Sequence, residues 1–354
     1  MKGGQPGPED SDICRQLAKN GYLVAQGPRF RIFSRAFAEC IRGLDSLGGL
    51  RSKPRPPGRD DSTAGRLEPL SQVNQYQVVN RLAEGGMGVV YQAKDTSLNR
   101  TVALKVIKPD LMLKEGARRR FLQEARLAAA LSHPAITTVY EFLEHRDQVV
   151  LVMEWLEGKT LKEKILLEGR QEWRQLVQWL MEACSGLEAA QRQGIIHRDI
   201  KPSNLMITVA NHLKILDFGL AKHKATETMA TMSSDFSIQG GIIGTLDYMS
   251  PEQSCGQPLD HRSDLFSLGT VLFEGLTGQL PFRRNNPGAT LQAIVNEPTP
   301  DLGLYQVEEA EALNGILKQL MAKQPSRRYD HAAQVAADLT DLLRRSKGIF
   351  RWRR

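Results

Sequence analysis

The densest run of reactive side chains in the 354-residue chain is His197-Arg198-Asp199-Ile200-Lys201-Pro202-Ser203-Asn204. A carboxylate close to an acceptor hydroxyl can orient it and take its proton, and Lys201 can offset charge on a transferring phosphoryl group. Asn204 carries no charge but offers a carbonyl oxygen, which suits a hard cation such as Mg²⁺. A second run, Leu213-Lys214-Ile215-Leu216-Asp217-Phe218-Gly219, is an apolar strand ending in Asp, Phe and Gly. An Asp at that strand end, facing Asn204, would complete a Mg²⁺ site shared with phosphate oxygens. Each run also has a plainer reading. The first could be a polar surface loop, the second a strand with an ordinary turn.

Two upstream runs fit phosphate chemistry. Ala83-Glu84-Gly85-Gly86-Met87-Gly88-Val89-Val90 lies between strand-like stretches. Glycines let a backbone approach phosphate oxygens and aim N–H groups at them, although a plain hairpin turn uses the same residues. In Val102-Ala103-Leu104-Lys105 a lysine sits among apolar residues. If buried, it needs a carboxylate or phosphate partner; if at an edge, it simply faces water. Glu124, in the helical pattern RRRFLQEARLAAAL, could supply that partner or be one more solvated helix charge.

The elements that must position these residues can be read from periodicity. YQVVNRL, GVVYQAK and TVALKVI are short β-type runs, followed by a helical stretch from Lys114 to Leu131. Two more strands are expected over Thr137–Leu143 and Val149–Glu154. Beyond Lys159 apolar residues recur at three- and four-residue spacing, as in LVQWLMEACSGLEAA and DLFSLGTVLFEGLTG. A strand-rich lobe followed by a helix-rich lobe is an α+β layout, with a ligand expected in the cleft between them. Residues 51–75 are rich in Pro, Gly, Arg and Asp and read as a linker. Before it, Ile13, Leu17 and Ala18 fit a helical face, Tyr22–Ala25 and Phe30–Phe33 fit strands, and Phe37, Ala38 and Ile41 fit a second helix. That order resembles part of a winged-helix module, yet a small appendage on the main domain explains it as well. The expected organisation is therefore an appendage over 1–50, a linker over 51–75, the main domain over 76–345 and a basic tail over 346–354.

Composition narrows the setting. Hydrophobic residues make up 41% and charged residues 25%, enough for a full core in a soluble globular protein. A net charge of +7 suits anionic partners without naming one. Cys14, Cys40, Cys184 and Cys255 form no Cys-x-x-Cys pair, which argues against a disulfide framework or zinc site and for a reducing cytoplasm. No stretch approaches about 18 uninterrupted apolar residues, so no integral membrane segment is expected. The first residues, MKGGQPGPEDSD, lack the apolar core of a signal peptide.

Taken in order, these motifs resemble those of the eukaryotic-type (Hanks-type) serine/threonine protein kinases. The resemblance runs from about Tyr76 to Leu343 and is strongest to the soluble or receptor-type kinases of bacteria, where a Gly-Gly-Met-Gly loop is frequent. Ser250-Pro251-Glu252 stands for Ala-Pro-Glu, Asp264 follows, and Arg328 sits where the family pairs an arginine with that glutamate. The resemblance implies a two-lobed fold, a β-rich N-lobe and an α-helical C-lobe, using ATP with Mg²⁺ or, alternatively, Mn²⁺. Gly85, Gly86 and Gly88 would lie over the phosphates, with Leu82, Val90 and Ala103 around the adenine and Met206 as its floor. Met153 would be the gatekeeper, and Glu154 to Leu156 the hinge. Lys105 would hold the α- and β-phosphates and pair with Glu124. Asn204 and Asp217 would bind the metal, and Asp199, aided by Lys201, would act on the substrate hydroxyl.

Lys201 two residues after Asp199, and Gly244-Thr245 ahead of Ser250, resemble the serine/threonine rather than the tyrosine class. Expected substrates are then proteins bearing Ser or Thr, the chain itself included, with self-association as one route to trans-autophosphorylation. Arg198 beside the Asp suggests a phosphate-ordered loop, with Thr226, Thr228 and Thr231 as the favoured sites. Ala83 and Ser250 depart from the family pattern without removing a catalytic group, which disfavours a pseudokinase. Gly348 reads as a helix stop, after which IFRWRR continues a basic, partly aromatic stretch. A weak membrane-surface contact there competes with a solvated tail, and nucleic-acid binding through 11–48 is the remaining, disfavoured alternative.

Overall fold

The computed structural model describes residues 23–26, 29–32, 71–85, 88–108, 125–126, 129–146, 148–218 and 246–349, side chains being described from 71 to 346. The chain divides into two units, one of residues 1–110 with 142–152, the other of 111–141 with 153–354. Among the described residues no helix is long and apolar enough to cross a membrane.

In the first unit, β1 (Leu23–Gln26) and β2 (Arg29–Ile32) form an antiparallel hairpin pairing Leu23 with Ile32. Both strands fall within one residue of the sequence expectation. The helices expected on either side lie outside the described residues. The main sheet has six strands in the order β3-β4-β5-β6-β8-β7. These are β3 (Gln72–Val73), β4 (Tyr76–Glu84), β5 (Gly88–Asp95), β6 (Arg100–Ile107), β7 (Val139–His145) and β8 (Gln148–Glu154). Alternation on β4 sends Tyr76 and Val78 into a core with Val73, Tyr91, Ala93, Leu104, Val106, Val150 and Val152. Beta-branched side chains dominate there because they fill a pleated surface well. Two register shifts on β4, between Val78 and Asn80 and between Arg81 and Ala83, interrupt the ladder just before the glycine run. Gln72 and Val73 pair with Gln77 and Tyr76, so ordered sheet begins inside the stretch read as linker over 51–75. Its polar composition concealed a short edge strand whose one apolar residue, Val73, is fully buried.

In the second unit a three-stranded sheet, β11-β10-β9, joins β9 (Gly158–Thr160), β10 (Leu205–Thr208) and β11 (Leu213–Ile215). Around it lie α1 (Leu161–Glu168), α2 (Trp173–Arg192), α3 (Pro251–Ser254), α4 (Arg262–Thr277), α5 (Pro287–Asn296), α6 (Ala310–Leu320) and α7 (Ala332–Ile349). Thr160 starts α1 with a reciprocal cap to Glu163. Every residue of α4 from Ser263 to Thr277 is buried, the pattern of a helix at the centre of a core rather than on its surface. A Cβ on Gly275 would stand 2.6 Å from Leu176 of α2, so glycine lets those two helices meet closely. α7 packs along α2 with Val335, Leu339 and Leu342 buried, and it continues past Gly348 to Ile349. The expected stop at Gly348 is thereby corrected, as is the start of the tail at 346. Ser346 is a buried helical residue. One interior glycine costs about 1 kcal/mol, which packing along the helix outweighs.

Candidate functional site

The His197–Asn204 run of the second unit is a backbone loop hung from α4. Asp264, in the first turn of that helix, accepts the His197 N–H and the Arg198 N–H, each at 2.7 Å. Burial holds the Asp264 carboxyl above the usual carboxylate range, against the downward pull of His197 and these two N–H groups. The clasp supports an unfavourable turn, since Arg198 has φ +65°. His197, fully buried, donates from Nε2 to the Leu216 carbonyl at 2.8 Å and accepts the Asp199 N–H on Nδ1 at 3.2 Å. A carbonyl at one nitrogen and an N–H at the other fix the proton on Nε2. Its ring stands edge-on to Phe218 at 4.7 Å. His197 therefore braces the loop and ties it to the strand end that carries Asp217.

Asp199 is 6% exposed. Its Oδ2 lies 2.9 Å from Lys201 Nζ and 3.1 Å from Asn204 Nδ2, and Asn204 Nδ2 also donates to the Asp199 carbonyl at 2.8 Å. Both amide hydrogens of Asn204 are thus committed to Asp199, which leaves its Oδ1 as a neutral, hard oxygen donor. The Asn204 carbonyl accepts the Leu216 N–H at 2.8 Å, and Leu205 pairs with Ile215. This register sets Asn204 beside the Leu216-Asp217 turn, where Asp217 has φ +51°. A carboxylate and an amide oxygen suit Mg²⁺ or Mn²⁺. Among the described residues no group of three or more His, Cys, Asp or Glu side chains could hold a metal alone. A cation at Asn204 and Asp217 would need further oxygen ligands, from phosphate or water, to fill its shell.

The residues expected to form the hinge lie on the same unit. Met153 is buried and Leu156 half-buried. Glu154 donates its N–H to the Thr138 carbonyl at 2.9 Å, accepts the Thr138 N–H at 3.2 Å, and pairs with Lys214 Nζ at 2.7 Å through both oxygens. Lys214 belongs to β11, so one ion pair joins Glu154 to the strand leading to Asp217. Met206, on β10, faces Thr160 in the ladder and is half-buried.

In the first unit Lys105 is 4% exposed within β6 and pairs in register with Val90. Ala103 is buried and Leu82 half-buried. Gly85 donates its N–H to the Gly88 carbonyl at 2.9 Å, closing the β4–β5 connection. The two glycines differ in kind. A Cβ on Gly85 would meet nothing within 4 Å, whereas one on Gly88 would stand 2.0 Å from the Val106 carbonyl oxygen. Gly88 is thus required by the sheet itself. Gly86, Glu124, Thr226, Thr228, Thr231, Gly244 and Thr245 lie outside the described residues.

Downstream, Ser250 caps α3 in a reciprocal pair with Gln253, and Gln253 Nε2 donates to the Arg198 carbonyl at 2.9 Å. Glu252 and Arg328 form a buried bidentate pair at 2.7 and 2.8 Å, joined by Ser263 at 2.6 Å. Burial alone would raise the Glu252 carboxyl, but the Arg328 and Ser263 bonds hold it below the usual range. Sequence reading singled out Glu252, Asp264 and Arg328 but missed Asp247, Tyr248 and Glu274, which join Lys162 and Arg283 in one ionic network. The available signal was Glu274 itself, a carboxylate inside the apolar run LFSLGTVLFEGL, where burial demands a partner.

Comparison with known proteins agrees with this geometry. The protein kinase domain family matches residues 76–339. The serine/threonine-protein kinase PknB of Mycobacterium tuberculosis is 37% identical over 271 residues, which covers 75% of this chain and 42% of that protein. A probable serine/threonine-protein kinase of Clostridium perfringens, CPE1738, is 36% identical over 267 residues, 75% of this chain and 38% of that protein. The chain thus spans about two fifths of the length of these curated relatives. The crystal structure of the Mycobacterium tuberculosis PknI kinase domain superposes with a TM-score of 0.63 at 24% identity, covering 78% of this chain and 99% of that one, a likeness of fold. With the His197–Asn204 loop, strand-end aspartate and buried Glu252–Arg328 pair set in that fold, the chain belongs to the protein kinase family, among relatives named as serine/threonine-protein kinases.

Proposed function

We propose that the chain transfers the γ-phosphoryl group of ATP to Ser or Thr hydroxyls of proteins, with its own activation loop among the acceptors. The carrying observation is the Asp199–Lys201–Asn204 cluster, in which one carboxylate oxygen is held by a cation and an amide. In the reaction the substrate oxygen bonds to the γ-phosphorus, the bond to the β–γ bridging oxygen breaks, and ADP leaves. Asp199 orients the attacking hydroxyl and accepts its proton; Lys201 offsets charge on the moving phosphoryl group. Asn204 and Asp217 would hold Mg²⁺, which when bound neutralises phosphate charge. Lys105, paired with Glu124, would hold the α- and β-phosphates under Gly85, Gly86 and Gly88. Leu82, Val90, Ala103, Met153, Leu156 and Met206 would enclose the adenine, which bonds to the backbone from Glu154 onward. His197 and Asp264 take no part in proton transfer and keep the loop in shape.

Residues 1–50 would form an appendage and the stretch before 71 a linker. Phosphate on Thr226, Thr228 or Thr231 would order the activation loop through Arg198. A cytoplasmic setting, self-association for trans-phosphorylation and weak contact of the basic C-terminal residues with anionic lipid complete the reading. The test is intact mass after incubation with ATP and Mg²⁺, beside Asp217→Ala. Phosphate increments in the wild type alone support an active kinase. No phosphate increment in either protein, with nucleotide still bound, would favour a binding module of the same fold.

A further inference from the structure

A buried ionic network lies next to the place where a substrate hydroxyl must stand. Gln253 joins the segment 246–253 to the carbonyl of Arg198, the residue before Asp199. A peptide presenting Ser or Thr to Asp199 therefore runs past that segment. Two carboxylates sit within it or just beneath. Asp247 has a side chain 5% exposed and pairs with Arg283 at 2.8 and 3.3 Å, Arg283 being 32% exposed. Glu274, on α4 and 3% exposed, pairs with Lys162 Nζ of α1 at 2.9 Å and accepts the Tyr248 hydroxyl. Asp247 also lies within electrostatic reach of both Glu274 and Lys162. Arg284, next to Arg283, adds a third cation, which reaches Glu297 on its other side.

The arrangement is layered. The carboxylates are inside, and the cations that satisfy them form the outer, partly exposed layer. A Lys or Arg on an approaching peptide finds both carboxylates already paired and meets Lys162 and Arg283 first, a like-charge juxtaposition that discriminates between partners. An uncharged or acidic side chain meets no such penalty.

We propose that this network makes the surface beside Asp199 selective against basic residues, so that the protein substrates carry uncharged or acidic side chains next to the phosphorylated Ser or Thr. The inference rests on the kinase reading and names its substrate class. Lys162 and Arg283 are then specificity-determining residues. They repel basic side chains and screen the carboxylates beneath them.

The experiment uses the full chain with matched peptides, one Ser or Thr flanked at each nearby position by Ala, Glu or Arg. The value read is the ratio of kcat/KM for Arg-flanked over Ala-flanked peptide within each protein, which cancels any loss of folded fraction. In the wild type this ratio should be one or less. Lys162→Gln uncovers Glu274 and should raise it about tenfold, the lower end for a charge-assisted hydrogen bond. Arg283→Gln, which uncovers Asp247, should move it the same way. A wild type that prefers Arg-flanked peptides overturns the proposal, as does a ratio unchanged in both variants. Absence of transfer to every peptide and to the chain itself overturns the kinase reading and this inference with it.

Discussion

Replacing Arg328 by Met should be among the most damaging single changes in the second unit, although it lies far in sequence from Asp199. The Arg328 side chain is fully buried and its partner Glu252 is 3% exposed. Besides its two bonds to Glu252, the guanidinium donates to the carbonyls of Ala322, Arg262 and Lys323 at 2.8, 2.9 and 3.3 Å, and it lies 5.0 Å from the Phe266 ring. Methionine fills similar volume but leaves the Glu252 charge buried without a cation, held only by neutral donors, the Ser263 hydroxyl and its own backbone N–H. Breaking a buried pair from one side costs about 3–5 kcal/mol, because an uncompensated charge remains. At about 2–4 °C per kcal/mol for a domain of this size, the melting temperature should fall by roughly 6–20 °C. Glu252→Gln should cost less, since Arg328 keeps three carbonyl acceptors and the amide keeps one oxygen. The double variant removes both charges and should be more stable than the two single losses summed, by about 2 kcal/mol. Denaturant unfolding of all four proteins measures this coupling. The folded pKa of Glu252 lies below its unfolded value, so its contribution is present above the ordinary glutamate range and fades as pH falls through the lowered value. The reasoning is refuted if Arg328→Met stays within about 1 kcal/mol of wild type, or if the two single effects simply add.

Two further outcomes follow from the same physical chemistry. Lys323 lies 3.7 Å over the Phe282 ring, donates to the Ile294 carbonyl at 2.6 Å, and is brought down to about 8 by burial first and by the Arg328 charge second, against an upward pull from Glu297. A lysine depressed on folding binds fewer protons folded than unfolded between about 8 and the ordinary 10.5. Wild type should therefore gain stability over Lys323→Met as pH rises through that window. Denaturant melts at pH 7 and pH 10 check this, and a constant difference refutes it. Gly88→Ala should cost about 1–3 kcal/mol by forcing β5 away from Val106, while Gly85→Ala, with open space around its Cβ, should leave stability within about 0.5 kcal/mol. Equal melting temperatures for the two variants would refute the distinction.

The local parts of this molecule were legible because short-range rules govern them. Alternation located β4 and β5, and three- and four-residue spacing located α2 and α4. The Gly85–Gly88 run, Lys105, the Asp199–Asn204 run and Asp217 stood out because each motif is contiguous, and the kinase resemblance rested on their order. Misreadings came where local composition was outweighed by packing. Gly348 reads as a helix end, but α7 has a partner in α2 and continues. Gln72 and Val73 sit in a linker-like stretch, but the edge of β4 gives them a ladder to join.

Sequence by itself thus determined the class of fold, the family resemblance and the candidate site residues. Tertiary structure alone decided how those side chains are held. Asp264 clasps a loop 67 residues upstream, Asp247 meets Arg283 across 36 residues, and Lys162 reaches Glu274 across 112. No periodicity encodes such pairs. Each exists because a charge buried by folding must be matched by whatever opposite charge or donor the fold brings within hydrogen-bonding distance, and that partner is chosen in space rather than along the chain.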